Sequence, residues 1–182
     1  MSIVRRITAA AVLASLASTS LLPAAGATGR APGQDVGIDL QAPVITRDDV
    51  LIKAPLAAIW KIQTDVEGWP AWQPEVVSAV RQDEGRLKPG SVFRWEVQGL
   101  DVTSTVKQVK PMRRLVWGGP ANGITAVHVW TFTPVRGGVL VHTEESWSGD
   151  PVEANVEFAQ SALDASLHAW LQNLKQTAEV HS

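Results

Sequence analysis

The chain has 182 residues, with 16 lysines and arginines against 18 acidic residues and no cysteine. A formal charge of −2 argues against nucleic-acid and anionic-membrane partners, which call for clustered positive charge. Without cysteine there is no disulfide and no lipoprotein anchor, so the fold must stand on its apolar core.

Residues 1–27 read as a secretory signal peptide. Arg5 and Arg6 precede an apolar, alanine-rich run from Ile7 to Leu22, and Ala25-Gly26-Ala27 offers small residues to an export peptidase. The run is short for a membrane span and no stop-transfer pattern follows, so no stable span is expected after cleavage near Ala27. The residues around the arginine pair fit a twin-arginine motif poorly, which favours the general secretory route. The expected location is secreted, periplasmic or cell-envelope. Cleavage leaves 155 residues with 14 basic and 18 acidic side chains, one domain's worth of chain. Residues 28–43, rich in Gly, Pro and Ala, read as a flexible linker, and residues 44–180 as a single domain.

A first strand is expected from Val44 to Lys53. Pro55 suits the first position of a short helix ending near Asp65, and Trp69 to Pro74 is too proline-rich for more than a helical turn or tight loop. Strands follow over Val76–Gln82, Val92–Gln98 and Asp101–Val109. In the third strand Phe93, Trp95 and Val97 share one face; in the fourth, Val102, Ser104 and Val106 do. Arg113–Trp117 reads as a short strand, with Gly118-Gly119-Pro120 and Asn122-Gly123 punctuating a loop. Thr125–Thr133 and Val139–Ser148 form a hairpin turning at Pro134–Gly138. A loop of four residues sets His128 opposite Glu145 and turns Val141, Thr143, Glu145 and Trp147 inward; a slip of one residue would turn His142 and Glu144 inward instead. Asp150 can cap a long helix that has Pro151 in its first turn, with an apolar stripe from Val152 to Ala178.

Seven of the eight tryptophans lie between Trp60 and Trp147, several of them on strands. Strands that alternate tryptophan with polar residues present one large apolar face. Closed on a long amphipathic helix, they describe a curved antiparallel sheet of about seven strands wrapped around that helix. Rings in excess of what the helix covers would line a cavity.

Several segments carry a family resemblance. They are Pro55-Leu56-Ala57-Ala58-Ile59-Trp60 with Asp65, Trp69-Pro70-x-Trp72-x-Pro74, Pro89-Gly90-x-x-Phe93-x-Trp95, and Pro111-x-x-x-Leu115-x-Trp117-x-Gly119. His128-x-Trp130-x-Phe132-x-Pro134, Glu145-x-x-x-Gly149 and Trp170-Leu171-x-x-Leu174-Lys175 complete the set. In order and spacing they resemble START-related proteins of the SRPBCC superfamily, most of all the polyketide cyclase/dehydrase branch, from about Val44 to Glu179. The resemblance implies an α+β helix-grip fold, with two short helices after the first strand and a deep apolar pocket between sheet and C-terminal helix. It does not by itself assign a function.

The candidate ligand-binding residues are Trp72, Phe93, Trp95, Ser104, Trp117, His128, Trp130, Thr143, Glu145, Trp147 and Phe158. Trp69, Trp72 and Pro74 could gate the pocket mouth. A carboxylate on an inner face is costly unless paired or neutralised, and His128 is the nearest expected partner of Glu145. Three functions follow. The first is an exported protein holding a hydrophobic or aromatic small molecule. The second is a cyclase or dehydratase using His128 and Glu145 as acid and base. The third is a domain whose cavity is filled by its own side chains. No cofactor and no metal are expected: His142 and Glu144 share a strand face but lack a third ligand. The sequence leaves oligomeric state open.

Overall fold

The computed structural model describes residues 34–180, so the signal-peptide reading over residues 1–27 and the start of the linker lie outside the described residues. The elements in chain order are β1 (Val44–Ile52), α1 (Leu56–Thr64), a 3₁₀ turn (Val66–Ala71), β2 (Val76–Arg81), β3 (Val92–Val97) and β4 (Leu100–Lys110). They continue with β5 (Arg114–Ala121), β6 (Ile124–Val135), β7 (Gly138–Ser148), α2 (Asp150–Glu153) and α3 (Val156–Val180). All seven strands pair antiparallel in one sheet, in the order β1-β7-β6-β5-β4-β3-β2.

The α+β class, the seven antiparallel strands and the C-terminal helix agree with the sequence reading. The curved sheet wrapped around that helix does not. The sheet is open, and β1 and β2 stand at its opposite edges. The cause lies in the connection between these two strands. It carries α1 and the 3₁₀ turn, and the turn packs on β2 while α1 packs on α3. Helix α3 lies closest to β1, at one edge, and not at the centre of a closed sheet.

Two further expectations are corrected. Gly118-Gly119-Pro120 is not a loop but the end of β5, paired with Val127, Ala126 and Thr125. A Cβ on Gly118 would collide with the carbonyl oxygen of Ala126, and one on Gly119 with that of Thr103. The two glycines therefore serve close strand approach, and the turn is made by Asn122 and Gly123 alone, both at positive φ (49° and 83°). That is the backbone a two-residue hairpin requires. The long C-terminal helix is interrupted at Ala154-Asn155. Asp150 does not cap it; Gly149 (φ 117°) holds that position with no side-chain cap bond. Asn155 caps α3 instead, its Oδ1 accepting from the Phe158 N–H at 3.2 Å.

Residues 35–39 cross the outer face of the sheet. Val36 N–H donates to Gln108 Oε1 of β4, and its carbonyl accepts from Arg114 Nη2 of β5. Farther along, Asp39 N–H donates to Ser146 Oγ of β7. Val116 and Val129 point to this face and are nevertheless fully buried. The outer face thus has a covered apolar strip where alternation alone would expose it.

The interior holds two apolar clusters. The larger is built on Trp69, whose ring contacts Phe93, Trp95, Trp117 and Trp170 at centroid distances of 5.3, 5.7, 5.6 and 5.2 Å. Its indole N–H donates to the Gln63 carbonyl of α1 at 3.1 Å, which removes the cost of burying it. The smaller cluster joins Val44, Val152, Ala159, Leu163 and Leu167, with Ile124 and Trp147 against it. Trp69→Ala leaves four rings without their common neighbour. It should lower the unfolding free energy by about 3–5 kcal/mol in urea titration; a loss below about 1 kcal/mol would mean the cluster does not depend on it.

Candidate functional site: a ring-walled cavity

Between the two clusters lies a cavity of about 350 Å³. Its origin is the placement of α3. The helix stays close to β1, and its side chains must bridge the widening gap to β3–β6. Toward the C-terminal half Trp170 does so, meeting Trp69, Trp95 and Trp130. Toward the N-terminal half the facing residues are Ala159, Ala162 and Ser166, which are too short to fill the space. The sheet contributes Trp95, Trp117 and Trp147 as walls. Leu100, the first residue of β4, and Phe158, 70% exposed at the start of α3, form the rim.

Of the residues singled out in the sequence, Trp95, Ser104, Trp117, His128, Glu145, Trp147 and Phe158 line the cavity. Four do not. Phe93 is buried behind Trp69 and Trp117. Trp130 is stacked on Trp117 at 6.2 Å, and Thr143 is reached only through His128. Trp72 packs edge-on against Trp170 at 6.1 Å and does not gate the mouth; the rim lies at Leu100 and Phe158 instead. Sequence reasoning missed Gly118, Gly119, Ala162 and Ser166. The signal was there: Ala159, Ala162 and Ser166 recur at intervals of three and four on one helix face, opposite strands heavy in tryptophan.

The polar centre is a hydrogen-bond chain across β6 and β7. His128 and Glu145 are directly opposed, one of the two registers the hairpin left open, and the turn is tighter than a four-residue loop because Val135 still pairs with Gly138. His128 Nδ1 lies 3.1 Å from Glu145 Oε2, and Nε2 lies 2.7 Å from Thr143 Oγ1. Thr143 Oγ1 also lies 3.3 Å from the Val129 carbonyl, and Trp147 Nε1–H donates to Glu145 Oε1 at 2.8 Å. Burial pushes the Glu145 carboxyl up to about 7, against a smaller opposing effect of the Trp147 hydrogen bond. Burial likewise pushes His128 down to about 3.

The threonine has one proton to give, so the chain has two complete arrangements. With Glu145 neutral, its O–H donates to Nδ1, Nε2–H donates to Thr143, and Thr143 donates to the Val129 carbonyl. With Glu145 ionised, Nδ1–H donates to the carboxylate and the Thr143 hydroxyl turns to Nε2. Every group is satisfied either way, and the imidazole stays neutral. Both of its nitrogens are held by protein in each arrangement. Glu145 is therefore the member that presents spare acceptor capacity to the cavity. Separately, Trp95 Nε1–H donates to Ser104 Oγ at 3.1 Å, leaving that hydroxyl's own proton for a ligand.

On the outer face Glu144 pairs with Arg47 at 3.2 Å. Among the described residues no group of three or more His, Cys, Asp or Glu is arranged to hold a metal ion. No helix among them is long and apolar enough to cross a membrane.

The pair sets a pH signature. Glu145, raised from 4.5 to about 7, keeps its proton where the unfolded chain has lost it, so its contribution is full below about 4.5 and lost as pH rises through about 7. His128, lowered from 6.5 to about 3, contributes fully above 6.5 and loses this as pH falls through about 3. From about pH 4.5 to 6.5 the two slopes oppose each other. Glu145→Gln removes the falling one, so the variant's urea midpoint should climb across that window relative to the parent's. Parallel profiles would show that Glu145 titrates as an exposed carboxylate.

Comparison with known proteins agrees with this geometry. The family model for polyketide cyclase/dehydrase and lipid transport matches residues 43–179. No curated protein sequence gives a significant match. Among solved structures, the hypothetical protein jhp0584 from Helicobacter pylori is 20% identical with a TM-score of 0.69, over 80% of this chain and 98% of that one. The Zhui aromatase/cyclase from Streptomyces is 18% identical with a TM-score of 0.65, over 74% and 93%. A START superfamily protein from Mycobacterium smegmatis is 16% identical with a TM-score of 0.63, over 76% and 99%. At these identities the structures establish the fold alone, whereas the family model spans the sheet and both C-terminal helices. The chain belongs to the polyketide cyclase/dehydrase and lipid transport family.

Proposed function

We propose that the protein binds a hydrophobic or aromatic small molecule in this cavity and carries it outside the cytoplasm. The observation that carries the reading is the unfilled space of about 350 Å³ between two well-packed clusters, walled by rings and opening at an apolar rim. Ligand pockets run from about 300 to 1,000 Å³ and are mostly apolar with a few convergent polar groups. Here those groups are the Glu145 carboxyl and the Ser104 hydroxyl. The extracytoplasmic location rests on the leader read over residues 1–27. The idea of a self-filled interior fits the half occupied by Trp69, Trp130 and Trp170 and not the half facing Ala159 and Ala162.

One observation favours an enzyme. Glu145, raised to about 7, is a serviceable general acid near neutral pH. A cyclase or dehydratase also needs a base, and the neighbouring candidate among the described residues, His128, has both ring nitrogens tied to protein. That supports carriage over turnover.

Binding of a two-ring aromatic probe should change tryptophan emission with micromolar affinity, because Trp95, Trp117, Trp147 and Trp170 all face the space. Ala162→Trp should abolish the response while leaving the thermal midpoint within a few degrees, since the added ring enters empty volume. An unaltered response in that variant would put the probe elsewhere. Conversion of a poly-β-ketone, followed by mass spectrometry and lost in Glu145→Gln, would establish the enzymatic reading instead.

A further inference from the structure

The cavity's charge is one-sided. No lysine or arginine lines it, and one carboxyl does. Among the described residues, the elements packed around Glu145 supply no free cation. His128 faces it from β6 and is held neutral by the chain described above. Thr46, directly opposite on β1, donates to Asp164 of α3. One pleat farther along β1, Asp48 pairs with His168 of α3 at 3.0 Å. The nearby guanidinium, Arg47, is tied to Glu144 on the opposite face of the sheet. A ligand carboxylate would therefore enter a low-dielectric space beside another carboxyl with nothing to match it.

An ammonium group meets the reverse. Each Glu145 oxygen has one protein partner, Trp147 on Oε1 and His128 on Oε2, and each keeps a second lone pair. The indoles of Trp95, Trp117, Trp147 and Trp170 surround the same space, and an indole face attracts cations. The histidine–threonine chain already has an arrangement that stabilises the carboxylate, with Nδ1–H turned toward it.

We propose that the cavity selects cationic organic amines, with the ammonium nitrogen on the Glu145 carboxylate and an aromatic or aliphatic body among the four indoles. The proposal rests on the small-molecule-carrier reading and specifies its ligand class. On binding, the ammonium supplies the counter-charge that burial denies Glu145. Net, one proton leaves to solvent: the imidazole N–H shifts from Nε2 to Nδ1, where it faces the carboxylate, and the Thr143 hydroxyl turns from the Val129 carbonyl to the vacated Nε2. Uptake of one amine is thus coupled to release of up to one proton, and affinity rises with pH until the amine itself deprotonates.

The test uses three probes of one shape, naphthylmethylamine, naphthylmethanol and naphthoate, titrated calorimetrically into the folded protein at about pH 6 and about pH 8. The amine should bind about tenfold or more tightly than the alcohol at the higher pH, and naphthoate more weakly than either. The amine's advantage should shrink at the lower pH, and its heat should depend on the buffer's ionisation enthalpy. In Glu145→Gln the amine-to-alcohol ratio should fall toward one. Alcohol or naphthoate binding as tightly as the amine in the parent protein overturns this proposal and leaves the carrier reading standing. So does an amine preference that survives Glu145→Gln. If none of the three binds, the carrier reading falls with it. Because the pH series is measured on the parent protein, the outcome does not depend on how well the variant folds.

Discussion

Helix α3 lies along β1 at one edge of the sheet, and the remaining strands fan away beneath it. That offset is the constraint from which the rest follows. A helix seated centrally could close the interior with ordinary leucines. Held to one side, it must span a widening gap, and the chain meets the demand with very large side chains over one half and very small ones over the other. Trp170 and its neighbours convert the first half into a dense ring cluster. Ala159, Ala162 and Ser166 leave the second half empty. Cluster and cavity are two answers to the same geometric problem, and the rings that anchor the fold also make the cavity's inner wall.

The electrostatics are set by the same enclosure. A carboxyl that water reaches freely would be an ordinary anion. Walled by indoles, Glu145 holds its proton up to about 7, and the imidazole beside it loses its proton-binding capacity in the physiological range. The pair resembles a buried relay, but its far end is Thr143 and a backbone carbonyl, not solvent. It can rearrange internally without exporting a proton through the protein. Exchange has to pass through the cavity, which makes the occupant of that cavity the determinant of Glu145's charge.

Much of this was legible in the sequence. The alternation in Val92–Gln98 and Thr125–Thr133 located the inner faces of β3 and β6, while the hairpin spacing left two registers, of which the structure takes the one that opposes His128 and Glu145. The identification of the polyketide cyclase/dehydrase branch held because its motifs sit at turns and inward positions along most of the domain. What was not legible was long-range. Periodicity reports which residues face inward, but not whether the sheet's edges meet; the α1 and 3₁₀ connection decides that. Gly118-Gly119 looked like a turn because glycine's freedom and glycine's smallness give the same letter, and only the strands on either side reveal which is in use. Trp72 looked like a gate because proline-rich loops often border pockets, yet it backs Trp170. Alternation would expose the outer valines Val116 and Val129, which are buried on the face that a segment some eighty to ninety residues away in the chain crosses.

An open sheet also has an exposed flank. β2 ends the sheet, and Val77 and Val80 on it are 64% and 58% exposed. An apolar terminal strand is a template on which another chain can add. The ladder between β2 and β3 shifts between Val76 and Ser78, so β2 is kinked within its six residues. The kink interrupts the straight edge that an incoming strand would need, and at its end the Arg81 N–H already donates to Glu67 Oε1 of the 3₁₀ turn. The irregularity therefore guards against sheet-to-sheet polymerisation, a hazard the molecule incurs by leaving its sheet unclosed.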